Sequence, residues 1–295
     1  MPPFPVRHGV AAAVLLAGAA IACSRAADRP SSEMRQPLIN KIEHFFATAP
    51  DAERLFQFFR DTLGLPEVWG FQVWGDFASG GLSLGNVAFE FAKWRLEDGK
   101  ALPTEFSGIA FEPVGDTDAA LAEMTRRGIA HARPDSNVYR TASGRMTGWV
   151  NTGLAEFPSG NMFFCDYRDR SIVLANRQSA SDTLAMRGGG PLGVRRLKEI
   201  VVGVTDLDTQ RRHWRLLLDA PTQESGDVFA FGPGPSIRLV AASSASIQSM
   251  VLQVHSLDRA RSFLADRRVL GEANDQSVTI APSAIGGLRV TLVEQ

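Results

Sequence analysis

One pattern recurs four times along the chain and limits the fold more than any other feature. A strand-like run of alternating apolar residues is followed at once by a capped helix and then by further strand-like runs. The first copy opens with "KIEHFFATAPDAERLFQFFRDTLGLP", Lys41 to Pro66. Ile42, His44 and Phe46 alternate with Glu43, Phe45 and Ala47, which is the period of a strand. Thr48 and Asp51 then have capping-box spacing around Pro50. Ala52, Leu55, Phe56, Phe59 and Leu63 fall at helical spacing before Gly64. Strand-like runs follow at Trp69–Trp74, Gly81–Leu84 and Asn86–Trp94, so the order is β-α-β-β-β.

The second copy opens with "FSGIAFEPV" and "DTDAALAEMTRRG" and continues with runs at Asn137–Arg140, Thr147–Asn151 and Asn161–Tyr167. The third opens with "LKEIVVGVTDLDTQRRHWRLLL", where Thr205 and Asp208 repeat the Thr48/Asp51 spacing. The fourth opens with "SMVLQVHSLDRARSFLADRRVLG" and closes with "GGLRVTLVEQ". One unit cannot bury both its helix face and its sheet face, whereas two paired units can, with helices outside and eight strands curled into a cup. The expected fold is α+β: paired βαβββ units forming cup-shaped eight-stranded sheets, two such domains in tandem. Two ferredoxin-like domains are the alternative; three strands after each helix, rather than one, favour the cup. The domains fall at residues 40–177 and 195–295. Residues 178–194, rich in Ser and Gly, read as an exposed linker.

The first residues follow a different logic. Arg7 and His8 precede an apolar run from Val10 to Ala22, too short for the ~20 residues that span a bilayer, and it reads as the core of a signal peptide. Its end, Ala20-Ile21-Ala22-Cys23, resembles the lipobox of bacterial lipoproteins, with Ala20 where Leu is usual. That resemblance implies cleavage before Cys23, acylation of its thiol, and a place on the periplasmic side of a bacterial membrane, held by an N-terminal lipid anchor. Residues 1–23 are then the signal and 24–39 a tether. Cys165, the second of two cysteines, is left without a disulfide partner and is either an inert buried thiol or a site residue. A net charge of −1 with no basic stripe argues against a nucleic-acid partner.

The unit opening "IEHFFATAPDAERLFQFFRDTLGL" and closing "GNVAFEFAKW" resembles the vicinal oxygen chelate superfamily, which includes glyoxalase I, extradiol dioxygenases and bleomycin-resistance proteins. The resemblance covers residues 40–177 well and 195–295 more loosely. It implies metal ligands on the inner face of the cup, from the first and last strands of each unit. Those positions are His44, Glu90 and Cys165, with Gly108 where a further ligand would stand. The residues themselves agree at Glu90. It shares a face with Asn86 and Ala88, opposite Val87, Phe89 and Phe91, and a carboxylate there is costly unless paired or metal-bound. An N/O donor set suits a divalent ion such as zinc, iron, nickel or manganese.

Trp74, Trp94, Trp149 and Tyr139 are candidates for lining a ligand cup, core packing being the alternative. In the second domain the ligand positions fall on Glu199, near Leu239, on Ser249 or Met250, and on Glu294, so no catalytic metal is expected there. His131, His213 and His255 lack ligand spacing and read as surface or helix-end residues. Three functions remain open: a metal-dependent lyase, isomerase or dioxygenase acting on a small oxygenated molecule, a sequestering protein of the same fold, and a structural envelope lipoprotein.

Replacing the acylated thiol tests the anchor. Several acyl chains at ~0.8 kcal/mol per buried methylene hold a protein firmly on a membrane. On cell fractionation Cys23→Ala should move to the soluble fraction; retention equal to that of the unaltered chain would end the lipoprotein reading.

Overall fold

The computed structural model describes residues 37–74, 77–94, 100–141, 144–219, 226–230 and 234–294, and for residues 74, 139–141, 144 and 145 it describes the backbone alone. The signal peptide, Cys23 and most of the tether lie outside the described residues.

The first unit is β1 (Ile39–Thr48), α1 (Ala52–Gln57) continued by a π-helical turn (Phe58–Thr62), β2 (Glu67–Trp74), β3 (Phe77–Ser83) and β4 (Ala88–Trp94). The second is β5 (Glu105–Pro113), α2 (Thr117–Arg127), β6 (Asp135–Thr141), β7 (Gly144–Gly153) and β8 (Asn161–Tyr167). In each, the first strand runs parallel to the last, β1 beside β4 and β5 beside β8. The units join along antiparallel β1 and β5, giving the strand order β2-β3-β4-β1-β5-β8-β7-β6, an eight-stranded cup.

Helix starts differ from the expected boxes. Thr48 ends β1 and donates its hydroxyl proton to Pro103 O at 3.0 Å, while Asp51 itself caps α1 through the Arg54 N–H. Asp116 caps α2 in the same way. The cap therefore sits on the residue adjacent to the helix, where a short carboxylate reaches the orphan amides directly. Gly64 ends the first helical segment at φ +74°, and a Cβ there would meet Pro191 Cδ at 2.5 Å. Only glycine satisfies both demands.

The third unit is β9 (Val194–Val204), α4 (Leu207–Leu218), β10 (Val228–Phe229) and β11 (Ser236–Ala241). The fourth is β12 (Ser246–Val254), α5 (Leu257–Asp266), β13 (Leu270–Ala273), β14 (Val278–Ile280) and β15 (Val290–Val293). Asp206 caps α4, again next to the helix rather than at Thr205 or Asp208, and Ser256 caps α5. Among the described residues the second half thus has one strand fewer than the expected eight. Its sheet is not separate either: β12 pairs with β5 at Ile247 and Phe106, so hydrogen bonding runs through both halves. One hydrophobic core extends across them, from Phe45, Phe56, Phe59 and Phe89 to Trp214, Leu239 and Leu252.

The expected linker is also corrected. Gln178 to Met186 forms the second half of α3 (Arg170–Met186), a helix entered from β8 through the Asp169 cap. Ala180 and Leu184 are buried at helical spacing, and Ser181 Oγ donates to Gly85 O at 2.7 Å. The glycine-rich turn beyond it is held by Arg259, whose guanidinium donates to the carbonyls of Gly188, Gly190 and Pro191. Packing of the apolar stripe overrides the poor helix propensity of the Ser, Asp and Thr residues in this segment. Limited proteolysis of the native chain should therefore spare residues 178–193. A preferential nick there would show that the helix is not docked.

Candidate functional site

The helix-facing side of β1 carries Phe45 and Ala47, packed with Phe89 and Phe106, while His44 and Phe46 face the concave side. Strict alternation would send Glu43 to the helix side with Phe45. A bulge prevents this: Ile42 pairs with Phe111 and His44 with the next residue along β5, Ala110, so Glu43 is the extra residue. Its carboxylate is buried beside His44 and accepts from His44 Nδ1. Arg177, from the middle of α3, forms the ion pair with its other oxygen.

Burial alone would raise the Glu43 pKa. The Arg177 guanidinium and the His44 imidazole outweigh it and hold the carboxyl below its usual range. Arg177 is likewise opposed by burial, and the facing Glu43 carboxylate pushes its pKa up instead. An ionised carboxylate has no proton to give, so Nδ1 of His44 is the donor and the tautomer is set. On the opposite side of the ring, Nε2 lies 3.2 Å from Glu90 Oε2 on β4. At that separation the two atoms hold one proton, or a cation, between them. The imidazole thus stands between two carboxylates at the floor of the cup.

Around this floor is a cavity of about 1140 Å³. Trp69, Phe77, Trp94, Trp149, Phe163 and Tyr167 are among its rings. Phe163 and Trp69 stand with ring centroids 5.8 and 6.4 Å from His44. Trp149, a candidate pocket residue, lines this cavity; the side chain of Trp74, the other candidate, lies outside the described residues, as does that of Tyr139.

The four expected ligand positions do not all converge. The register sets Ala110, not Gly108, opposite His44; Gly108 pairs with Phe46. A Cβ at Gly108 would lie 2.1 Å from Asn161 O, so no side chain fits there. Cys165 does face the cavity, in a small cluster with Ala110 and Trp149. Burial, reinforced by the Glu43 carboxylate, pushes its thiol pKa up, which favours the protonated form. Asp166 faces away and accepts from the Thr117 amide and hydroxyl at 2.9 and 2.8 Å. Among the described residues no three His, Cys, Asp or Glu side chains converge as a metal seat. The neighbouring guanidinium already neutralises one carboxylate. This set does not fit a resident catalytic metal with three protein ligands.

The second half repeats the seat with different chemistry. Arg238 pairs with Val201, two residues after Glu199, as Glu90 pairs with Phe46, two residues after His44. The equivalent of Glu90 is therefore Arg238; Leu239 is in the core on the other face. Arg238 Nε donates to Glu199 Oε1 at 2.8 Å, an ion pair that occupies the position of the imidazole and carboxylate. Met250 is core, and Glu294 accepts from the Leu257 amide at the start of α5. His213 touches Glu156, His131 lies in an isolated bridge, and His255 is exposed ahead of α5.

Two site residues were missed by alternation and composition. Glu43 was hidden by the bulge, which leaves no local mark. Arg177 had a readable signal: Val173, Arg177, Ala180 and Leu184 form a helical stripe, with the guanidinium in a row of otherwise apolar residues.

No protein-family model and no curated protein matches this sequence. Solved structures do. A hypothetical protein from Staphylococcus aureus matches with TM-score 0.57 at 10% identity, over 86% of this chain and 99% of that one. A variant of homoprotocatechuate 2,3-dioxygenase from B. fuscum gives TM-score 0.58 at 12% identity, over 90% and 74%. The same enzyme from Arthrobacter globiformis gives 0.55 at 13%, over 90% and 83%. Likeness at this level of identity establishes the α+β fold, shared with extradiol dioxygenases, and not the reaction.

Removing Arg177 tests the buried pair. Arg177→Met should destabilise the chain by about 3–5 kcal/mol in urea unfolding, because Glu43 keeps its burial and loses its counter-charge. Adding Glu43→Gln should recover most of that loss. Because the Glu43 pKa is depressed in the folded state, its contribution is full above the ordinary carboxylate range and drains away as pH falls below about 4. The double variant should lose less stability over that window.

Proposed function

We propose that the chain is a glyoxalase-like protein of the vicinal oxygen chelate fold that binds a small, flat, oxygenated molecule in its first cup. In this reading it sequesters its ligand on the periplasmic side of a bacterial membrane, to which Cys23 anchors it. The observation that carries this is the charge pattern of the cavity floor. Glu43 is matched by Arg177, and the His44 imidazole lies between Glu43 and Glu90, so the ionisable groups satisfy one another. Such a floor offers fixed hydrogen-bonding groups beneath aromatic walls, as ligand pockets commonly do.

A second reading has one observation in its favour. Nδ1 of His44 is backed by a carboxylate while Nε2 points at Glu90, the orientation that outer carboxylates give to metal-binding imidazoles. A divalent ion held there would serve a lyase, isomerase or dioxygenase acting on an oxygenated substrate.

Elemental analysis and ligand binding separate the two. The purified full chain should contain well under one equivalent of zinc, iron, nickel or manganese. It should bind naphthalene, a flat aromatic probe, with quenching of tryptophan fluorescence that survives exhaustive chelation. Stoichiometric metal, lost together with binding on chelation and on His44→Ala, would establish the second reading in place of the first.

A further inference from the structure

The cavity wall contains side-chain donors with nothing to donate to. Nε and Nη1 of Arg177 and Nε1 of Trp94 are buried and have no hydrogen-bond partner, and both residues line the cavity. They come from different elements, α3 and β4, and lie at different parts of the cup. The Arg177 guanidinium stands 5.7 Å from the Trp69 ring centroid, and Trp94 packs on Phe77 and Phe46 at 4.9 and 6.0 Å. A guanidinium and an indole N–H can donate and cannot accept. Leaving a buried donor unmet is unfavourable, so each of these atoms favours an acceptor brought by a ligand.

Charge narrows the acceptor further. Arg177 is already paired with Glu43, and Glu90 is a second carboxylate on the same floor. On this floor a ligand carboxylate would be a third carboxylate beside one guanidinium and one imidazole, and the other charged lining residues, Arg133 and Asp135, carry one charge of each sign. A neutral oxygen meets the same N–H groups without that repulsion. Asn151, on β7, adds an unmet side-chain carbonyl oxygen, which a single hydroxyl or amide on the ligand would satisfy. The aromatic side chains of the same lining, Trp69 and Phe163 among them, can take the faces of a flat ring.

We propose that the ligand of the first cup is a neutral, flat, conjugated carbonyl compound, an aromatic ketone or quinone, whose oxygens accept from Arg177 and Trp94. This rests on the small-molecule reading above and names the class that the cup selects. The polar ends of such a molecule would lie towards the two donors, and its ring would fill the space between Trp69 and Phe163.

Calorimetric titration of the full chain with three probes of one size tests the assignment: naphthalene, 2-acetylnaphthalene and 2-naphthoate. The ketone should bind about tenfold or more tightly than naphthalene, as one well-met buried hydrogen bond allows, and more tightly than the carboxylate. Arg177→Lys keeps the charge opposite Glu43 and removes the Nε and Nη1 donors. Within that variant the ketone should bind no more tightly than naphthalene, the ratio of the two affinities being the quantity read. Trp94→Phe, which keeps a ring and removes the N–H, should reduce the same preference if Arg177→Lys fails to fold. Equal binding of ketone and naphthalene, or tighter binding of naphthoate, overturns the class and leaves the cup a ligand site. Absence of binding for all three probes overturns both this assignment and the reading on which it rests.

Discussion

A buried carboxylate that the strand could have hidden elsewhere organises the first cup. Because β1 bulges at Glu43, two consecutive polar side chains, Glu43 and His44, turn to the same interior. Neither could be there alone. Glu43 needs a counter-charge, which α3 supplies through Arg177, and the His44 ring has a carboxylate partner on each side. The docking of α3 and the orientation of the imidazole are therefore one constraint.

The two halves show how one backbone plan accepts different contents. Both place a polar pair where the first strand lies beside its parallel neighbour: His44 with Glu90 in one, Glu199 with Arg238 in the other. In the second half the two opposite charges bind each other through a direct hydrogen bond, and no imidazole remains to take part in proton or ligand chemistry. The first half keeps its charges matched through a longer chain of contacts, Arg177 to Glu43 to His44 to Glu90, which ends at the cavity. The helix caps and the parallel pairing of first and last strands follow the same scheme in both, with one strand fewer among the described residues of the second half.

Much of this was legible in the sequence, for reasons that can be stated residue by residue. The alternation of Val87, Phe89 and Phe91 against Ala88 and Glu90 marks the inner face of β4 because nothing interrupts that strand's pairing with β3. His44 was legible for its type, and Glu90 for its cost in an apolar strand. Glu43 was not, since a bulge is a property of pairing between β1 and β5 and shows in neither segment read alone. The register shifts along β1 are invisible for the same reason, and they set Ala110 opposite His44 and Gly108 opposite Phe46. The Gln178–Gly193 stretch read as a linker because Ser and Gly are weak helix formers; burial of Ala180 and Leu184 decided otherwise. In the second half no histidine stands at the expected ligand positions, and the residue of β11 opposite Val201 is Arg238 rather than Leu239.

The path of α3 has a consequence for how the molecule responds as a whole. One turn of this helix carries the guanidinium that closes the first cup, and Ala180 and Leu184 in its second half are buried in advance of the turn that leads to β9. A molecule that settles beneath Arg177 therefore restrains an element shared by both halves. Binding free energy gained in one half is then distributed through the helix and the continuous core to the other. The chain should behave as a single cooperative unit, in which occupancy of one cup is felt as resistance to opening in a half that has no site of the same kind.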